Sequence, residues 1–148
     1  MGSYNNILLA VDFHSDNRSV IDKAVEVAEM NSATLHLIHV VEPLAYAYTD
    51  GMTTWGEEMV SLEAAIREDG RKKLDELCQE LKVAGQDCYF RTGKSSEEIH
   101  ATAQESNIDL IILGTHGQHG LQLLLGSTAN SVLHGSTCDV LAVRIKES

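Results

Sequence analysis

The residues best suited to chemistry gather in one stretch of this chain. Gly114-Thr115-His116-Gly117-Gln118-His119-Gly120 follows an apolar run, and Leu121 to Leu125 lead into Gly126-Ser127-Thr128-Ala129-Asn130. Glycines reach positive φ and carry no side chain, so backbone amides among them can approach an anion closely. A helix opening at Gly126 adds N–H groups without intrahelical partners and a partial positive charge, and Ser127 and Thr128 add hydroxyls. The natural guest of such a cradle is a phosphate. The two hydroxyls are equally ordinary as helix caps, so they do not decide the matter alone. Two familiar phosphate loops are excluded. No Lys stands at the Gly126-Ser127 junction as a Walker A loop requires, and the glycines run GxxGxxG rather than the dinucleotide pattern GxGxxG.

Other chemistries find less support. The chain has seven His, of which His14, His116, His119 and His134 lie on segments that a fold could bring together. No HExxH and no paired cysteines accompany them, and single loop or helix-end histidines serve commonly as hydrogen-bonding groups. His36 and His39 are three apart in a strand-like run, on opposite faces, and cannot share a metal. Ser127, His116 and Asp12 can be assembled into a nucleophilic triad on paper, but no GxSxG elbow supports it. Asp12 reads either as a ligand or Mg²⁺ contact or as a turn and cap residue; its type alone leaves both open. For phosphate hydrolysis, the only general bases on offer are Asp12 and His116.

The elements that must hold these residues follow from periodicity. Asn6 to Asp12 and Ala33 to Val41 are continuous apolar runs rich in branched residues, the pattern of strands covered on both faces. Cys88 to Arg91, Ile108 to Leu113 and Asp139 to Ile145 make three more strands. Val20, Ala24, Val27 and Ala28 recur at helical spacing up to a stop at Asn31. Met59, Leu62, Ile66, Leu74, Leu77, Cys78 and Leu81 mark a helix of about seven turns, with Gly70 on its apolar stripe either for close packing or as a weak point. Ser95 and Glu98 form a capping-box pattern opening a helix to Ser106. Gly126 and Ser127 precede a last short helix that Gly135 can close. Between them, Glu42 to Gly56 reads as a long loop suited to a lid or partner surface around Trp55.

Strands alternating with helices imply one doubly wound α/β domain with a parallel sheet, whose ligands sit beyond the carboxyl ends of the strands where the strand order reverses. At 148 residues the chain fits one domain able to bury roughly 70% of its unfolded surface. A charge of -11 with Lys and Arg scattered argues against nucleic acid as a partner. The absence of any long apolar run or signal-like start points to the cytoplasm. Cys78, Cys88 and Cys138 are odd in number and form no CxxC, so they read as reduced, structural thiols.

NILLAVDFHSD, LHLIHVVEP, IDLIILGTHG and GSTANSVLHGSTCDVLAVRI together resemble the universal stress protein family over essentially the whole chain. The resemblance implies a five-stranded sheet of order 3-2-1-4-5 and an adenine nucleotide, ATP or AMP, as ligand, with Mg²⁺ accompanying it. Carried onto this chain, Ala10, Asp12 and Val40 would form the adenosine pocket. Gly114, His116 and Gly117 would face the ribose, and Gly126, Ser127 and Thr128 would hold phosphates. The ATP-binding members carry nine residues between the second glycine and the G-(S/T) pair; here eight separate Gly117 from Gly126. The resemblance further implies a homodimer through the strand Asp139 to Ile145, and a binding module in stress response or signalling in place of a catalyst. The shortened spacing leaves a second reading open, a dimeric interaction protein that works without nucleotide and meets an unknown protein partner.

Overall fold

The computed structural model describes residues 3–13, 17–43, 56–115 and 127–145. Among these residues five strands, β1 (Asn6–Ala10), β2 (Thr34–Val41), β3 (Cys88–Thr92), β4 (Leu110–Gly114) and β5 (Asp139–Val143), alternate with four helices. These are α1 (Arg18–Asn31), α2 (Gly56–Leu81), α3 (Ser95–Glu105) and α4 (Ser127–Gly135). All pairings are parallel and the order is β3-β2-β1-β4-β5, as expected. The chain therefore winds outward from β1 to β3, then crosses back to place β4 on the other side of β1, so the order reverses between β1 and β4.

Alternation along each strand sends neighbouring side chains to opposite faces. Ile7, Leu9, Leu37 and Ile112 meet Val20, Ala24, Leu74 and Leu77 of α1 and α2 on one face. Leu8, Ile38 and Ile111 meet Ile99, Ala103 and Val132 of α3 and α4 on the other. That double cover explains why the inner strands read as unbroken apolar runs rather than alternating ones.

Two strands end sooner than their apolar runs. β1 stops at Ala10, leaving Val11 and Asp12 in the connection to α1, and β5 stops at Val143. Ile145 turns back into the core and is 8% exposed. The capping box does not form: Lys94 is the N-cap of α3 without a side-chain bond, and the Ser95 N–H donates to Glu42 Oε2 across a 3.0 Å gap. The opening of α3 is thus tied to the end of β2 rather than capped from within.

Gly70 belongs to close packing. A Cβ there would lie 3.0 Å from both Cδ2 and Nε2 of His39. At 1.5 Å per residue α2 is about 39 Å long against about 26 Å for β2, so its first half overhangs. Its buried residues begin only at Gly70, while Val60 and Leu62 are 65% and 53% exposed.

The cysteine reading needs correction. Cys78 in the last turn of α2 and Cys88 at the start of β3 are joined as a disulfide, and only Cys138 is a free thiol. Ten residues of separation give no motif, and the pairing arises because a short 3₁₀ turn, Gly85–Asp87, folds the chain straight back from helix to strand.

Candidate functional site at the carboxyl edge of the sheet

The carboxyl edge brings together the described part of the expected site. Ala10 closes β1 opposite Ile38 of β2, and Val40 lies two residues further along β2, opposite Arg91 of β3. Both are half-buried and pack on the face that α3 and α4 cover. Their small and branched side chains make a low apolar floor beside the point where the strand order reverses. α4 runs back from this edge, so its first turn, with Ser127 at the start and Thr128 exposed on it, delivers N–H groups that have no intrahelical acceptor. An apolar floor beside a helix N-terminus suits a flat ring carrying an anionic group. His116, Gly117 and Gly126 lie outside the described residues, as do His14 and His119.

Gly114 ends β4 opposite Val143. The direction its Cβ would take is filled by Ile145 Cδ1 at 2.6 Å and Val20 Cγ2 at 3.2 Å. Close approach by the α1 side therefore demands glycine there, whatever its backbone meets on the other side. The next residue holds this corner closed: the Thr115 N–H donates to Val143 O at 2.9 Å, and Thr115 Oγ1 accepts from the Ile145 N–H at 3.3 Å.

Asp12 stands in a braced turn. The Val11 N–H donates to Ile38 O at 2.9 Å, and the Asp12 carbonyl accepts from Asn17 Nδ2 at 2.7 Å. The third brace was not legible beforehand. His39 is buried, and its Nδ1–H donates to Val11 O at 2.9 Å. A carbonyl only accepts, so that bond fixes which ring nitrogen carries the proton. The ring is wedged between Phe13, with centroids 4.7 Å apart, and Phe90 at 6.1 Å, with Gly70 of α2 directly beneath it. A histidine inside an apolar strand and a glycine on an apolar helical stripe were the two signals, and each remained ambiguous without the other.

His36 projects to the opposite face from His39. Its Nε2 is 3.2 Å from Asn6 Oδ1, its Nδ1 is 3.3 Å from the Tyr89 hydroxyl, and that hydroxyl is 2.8 Å from Ser106 Oγ. Burial holds the His36 pKa below its ordinary value, with the Asp87 carboxylate 3.5 Å away partly opposing that shift. His134 in the last turn of α4 bonds Asn130 O at 2.8 Å, and His100 bonds Val132 O at 2.9 Å. Among the described residues no group of three or more His, Cys, Asp or Glu could hold a metal ion. No helix among them is long and apolar enough to cross a membrane. A separate small cleft of about 60 Å³ is bounded by Val41, Pro43, Ile66 and Thr92 on the α2 face, the opposite face from the Ala10–Val40 floor.

Comparison with known proteins bears on this edge. The model of the universal stress protein family matches residues 3–144. Universal stress protein A homolog 1 of Coxiella burnetii (strain RSA 493 / Nine Mile phase I) is 44% identical over 146 residues, spanning 97% of this chain and 99% of that protein. Among solved structures, hypothetical protein MJ0577 superposes with a TM-score of 0.79 at 25% identity, over 99% of this chain and 100% of that one. A universal stress protein in complex with cAMP superposes at 0.57 with 21% identity, over 97% and 98% of the two chains.

Proposed function

This chain belongs to the universal stress protein family, and on that premise we propose that it binds an adenine nucleotide, ATP or AMP, as a stress-response or signalling module. It acts as a homodimer in the cytoplasm, by binding rather than by turnover. The observation that carries this reading is the convergence at one sheet edge of the Ala10–Val40 floor, the braced Asp12 turn and the N-terminus of α4. Adenine would lie on the floor, and the phosphates would take the first-turn amides with Ser127 and Thr128 beside them, where the helix dipole favours negative charge. His116, Gly117 and Gly126 would complete the ribose and phosphate contacts. The described residues offer no cage of carboxylates, so Mg²⁺ would arrive on the phosphates, with Asp12 the one acid of the proposed set. A related fold in complex with cAMP is in keeping with an adenine ligand.

The homodimer would form through β5. Among the described residues that strand pairs with β4 alone and leaves its other edge open, with Val140, Leu141 and Val143 only half-buried. Ile145 is committed to the core over Gly114 and contributes nothing to that edge.

Titration calorimetry with ATP, ADP and AMP tests the nucleotide. Saturable heat at or below millimolar ligand is expected, and a flat titration for all three overturns it. A flat titration would favour the second reading, a nucleotide-independent interaction protein, which the eight-residue spacing between Gly117 and Gly126 also favours.

A further inference from the structure

We propose that Cys78 and Cys88 form a reversible redox modification site, a dithiol that a hydroperoxide oxidises to the disulfide and a dithiol reductant restores. The pair sits at the amino edge of the sheet, opposite the nucleotide cradle, and stands independently of the nucleotide reading.

Three observations carry it. First, the two residues are held together by contacts that do not need the sulfur bond. The Val83 N–H donates to Cys78 O at 2.9 Å, the Lys82 N–H to Gln79 O at 3.2 Å and the Asp87 N–H to Ala84 O at 2.8 Å, while Cys88 is registered opposite Leu37 of β2. Their Cα atoms, 6.7 Å apart, lie within the span a disulfide bridges. Reduction therefore leaves both thiols in place to react again. Secondly, the reduced state has its own partner, because a Cys88 S–H can donate to Ala84 O at 3.5 Å. Thirdly, the pair is asymmetric in access: Cys78 is 6% exposed and packed among the α1 and α2 side chains, whereas Cys88 is half-buried. An incoming oxidant meets Cys88 first, and the sheltered Cys78 resolves it.

The chemistry balances. The Cys88 thiolate attacks one peroxide oxygen, the O–O bond breaks, and the products are a sulfenic acid on Cys88 and hydroxide or alkoxide, which takes up the proton the thiol released. Cys78 sulfur then attacks the Cys88 sulfur, its proton leaves with the departing hydroxyl as water, and the S–S bond forms. The two thiols have given two electrons to the peroxide. A dithiol reverses the step by exchange and is itself left as a disulfide. Cys138, on the α3 and α4 face with its Sγ 3.7 Å from Ser136 Oγ, takes no part and reports background oxidation.

The test uses the folded wild-type protein, reduced, then exposed to equimolar hydrogen peroxide, denatured and alkylated. Reduced protein should take three alkyl groups and oxidised protein one, on Cys138. Trypsin should release the peptide Leu74–Lys82 linked to Val83–Arg91, and dithiothreitol added before denaturation should restore three alkylations. Cys88→Ser should abolish the linked peptide. The proposal is overturned if peroxide carries Cys88 to its sulfinic acid without a linked peptide, if the links formed involve Cys138, or if dithiothreitol opens the bond only after denaturation.

Discussion

Gly70 and His39 show how a single missing methyl group reaches the site. A helix interior ordinarily gains about 1 kcal/mol when Gly is replaced by Ala. Here the new Cβ would press on an imidazole that cannot yield, because its Nδ1–H is bonded to Val11 O and its ring is held between Phe13 and Phe90. Overpacking of that kind costs about 1–3 kcal/mol, so Gly70→Ala is expected to lower stability in urea unfolding and, by shifting the Val11–Asp12 turn, to weaken nucleotide binding in calorimetry. His36 supplies a pH effect of determinate sign. Its folded pKa lies below the ordinary 6.5, so the unfolded chain takes up the proton first. Its contribution to stability is complete above that value and is lost as pH falls through the window beneath it. The expected outcome is that denaturant midpoints of the wild type fall more between about pH 7 and about pH 5 than those of His36→Gln, which has no proton to gain there. Equal slopes would mean that burial of this ring does not control the titration.

At the scale of elements, the edges carry the functional predictions. The first turn of α4 should favour anions, and Thr128 is exposed on it. Thr128→Glu places a negative charge against the phosphates and is expected to weaken ATP binding about tenfold or more, about 1.4 kcal/mol, while leaving the melting temperature nearly unchanged. An acidic residue in a first helical turn is locally favourable, which separates a lost ligand contact from a damaged helix. On the other side of β4, the open edge of β5 is the proposed dimer seam. Ala142 is exposed there, so Ala142→Asp should leave the monomer folded and shift sedimentation from dimer to monomer. An unshifted dimer would move the seam elsewhere.

For the whole molecule, the sheet divides the protein into two cores and two edges with different duties. The α1 and α2 core carries His39 and the disulfide, and the α3 and α4 core carries the Ala10–Val40 floor. The amino edge holds the cysteine pair and the His36 cluster, while the carboxyl edge holds the candidate nucleotide site. The proposed redox pair and the proposed nucleotide site thus lie at opposite ends of the strands. Their measurements should be separable: oxidised and reduced protein should give nucleotide affinities within about twofold of each other. Both forms titrated in calorimetry check this.

The element types, their alternation and the edge of the sheet at which a ligand would sit were all determined by the sequence, because each rests on local periodicity and on the few ways a parallel sheet can be wound. Ala10, Val40 and Thr128 were named as candidates through the resemblance to the universal stress protein family, and their places near strand ends and at a helix start are local features. What the tertiary structure alone decided are meetings between distant segments: His39 with Gly70 and Val11, Ile145 over Gly114, Glu42 at the start of α3, and Cys78 with Cys88. No spacing announces these contacts. They arise when helices of fixed length are laid across a twisted sheet, and close packing then settles which side chain fills which gap.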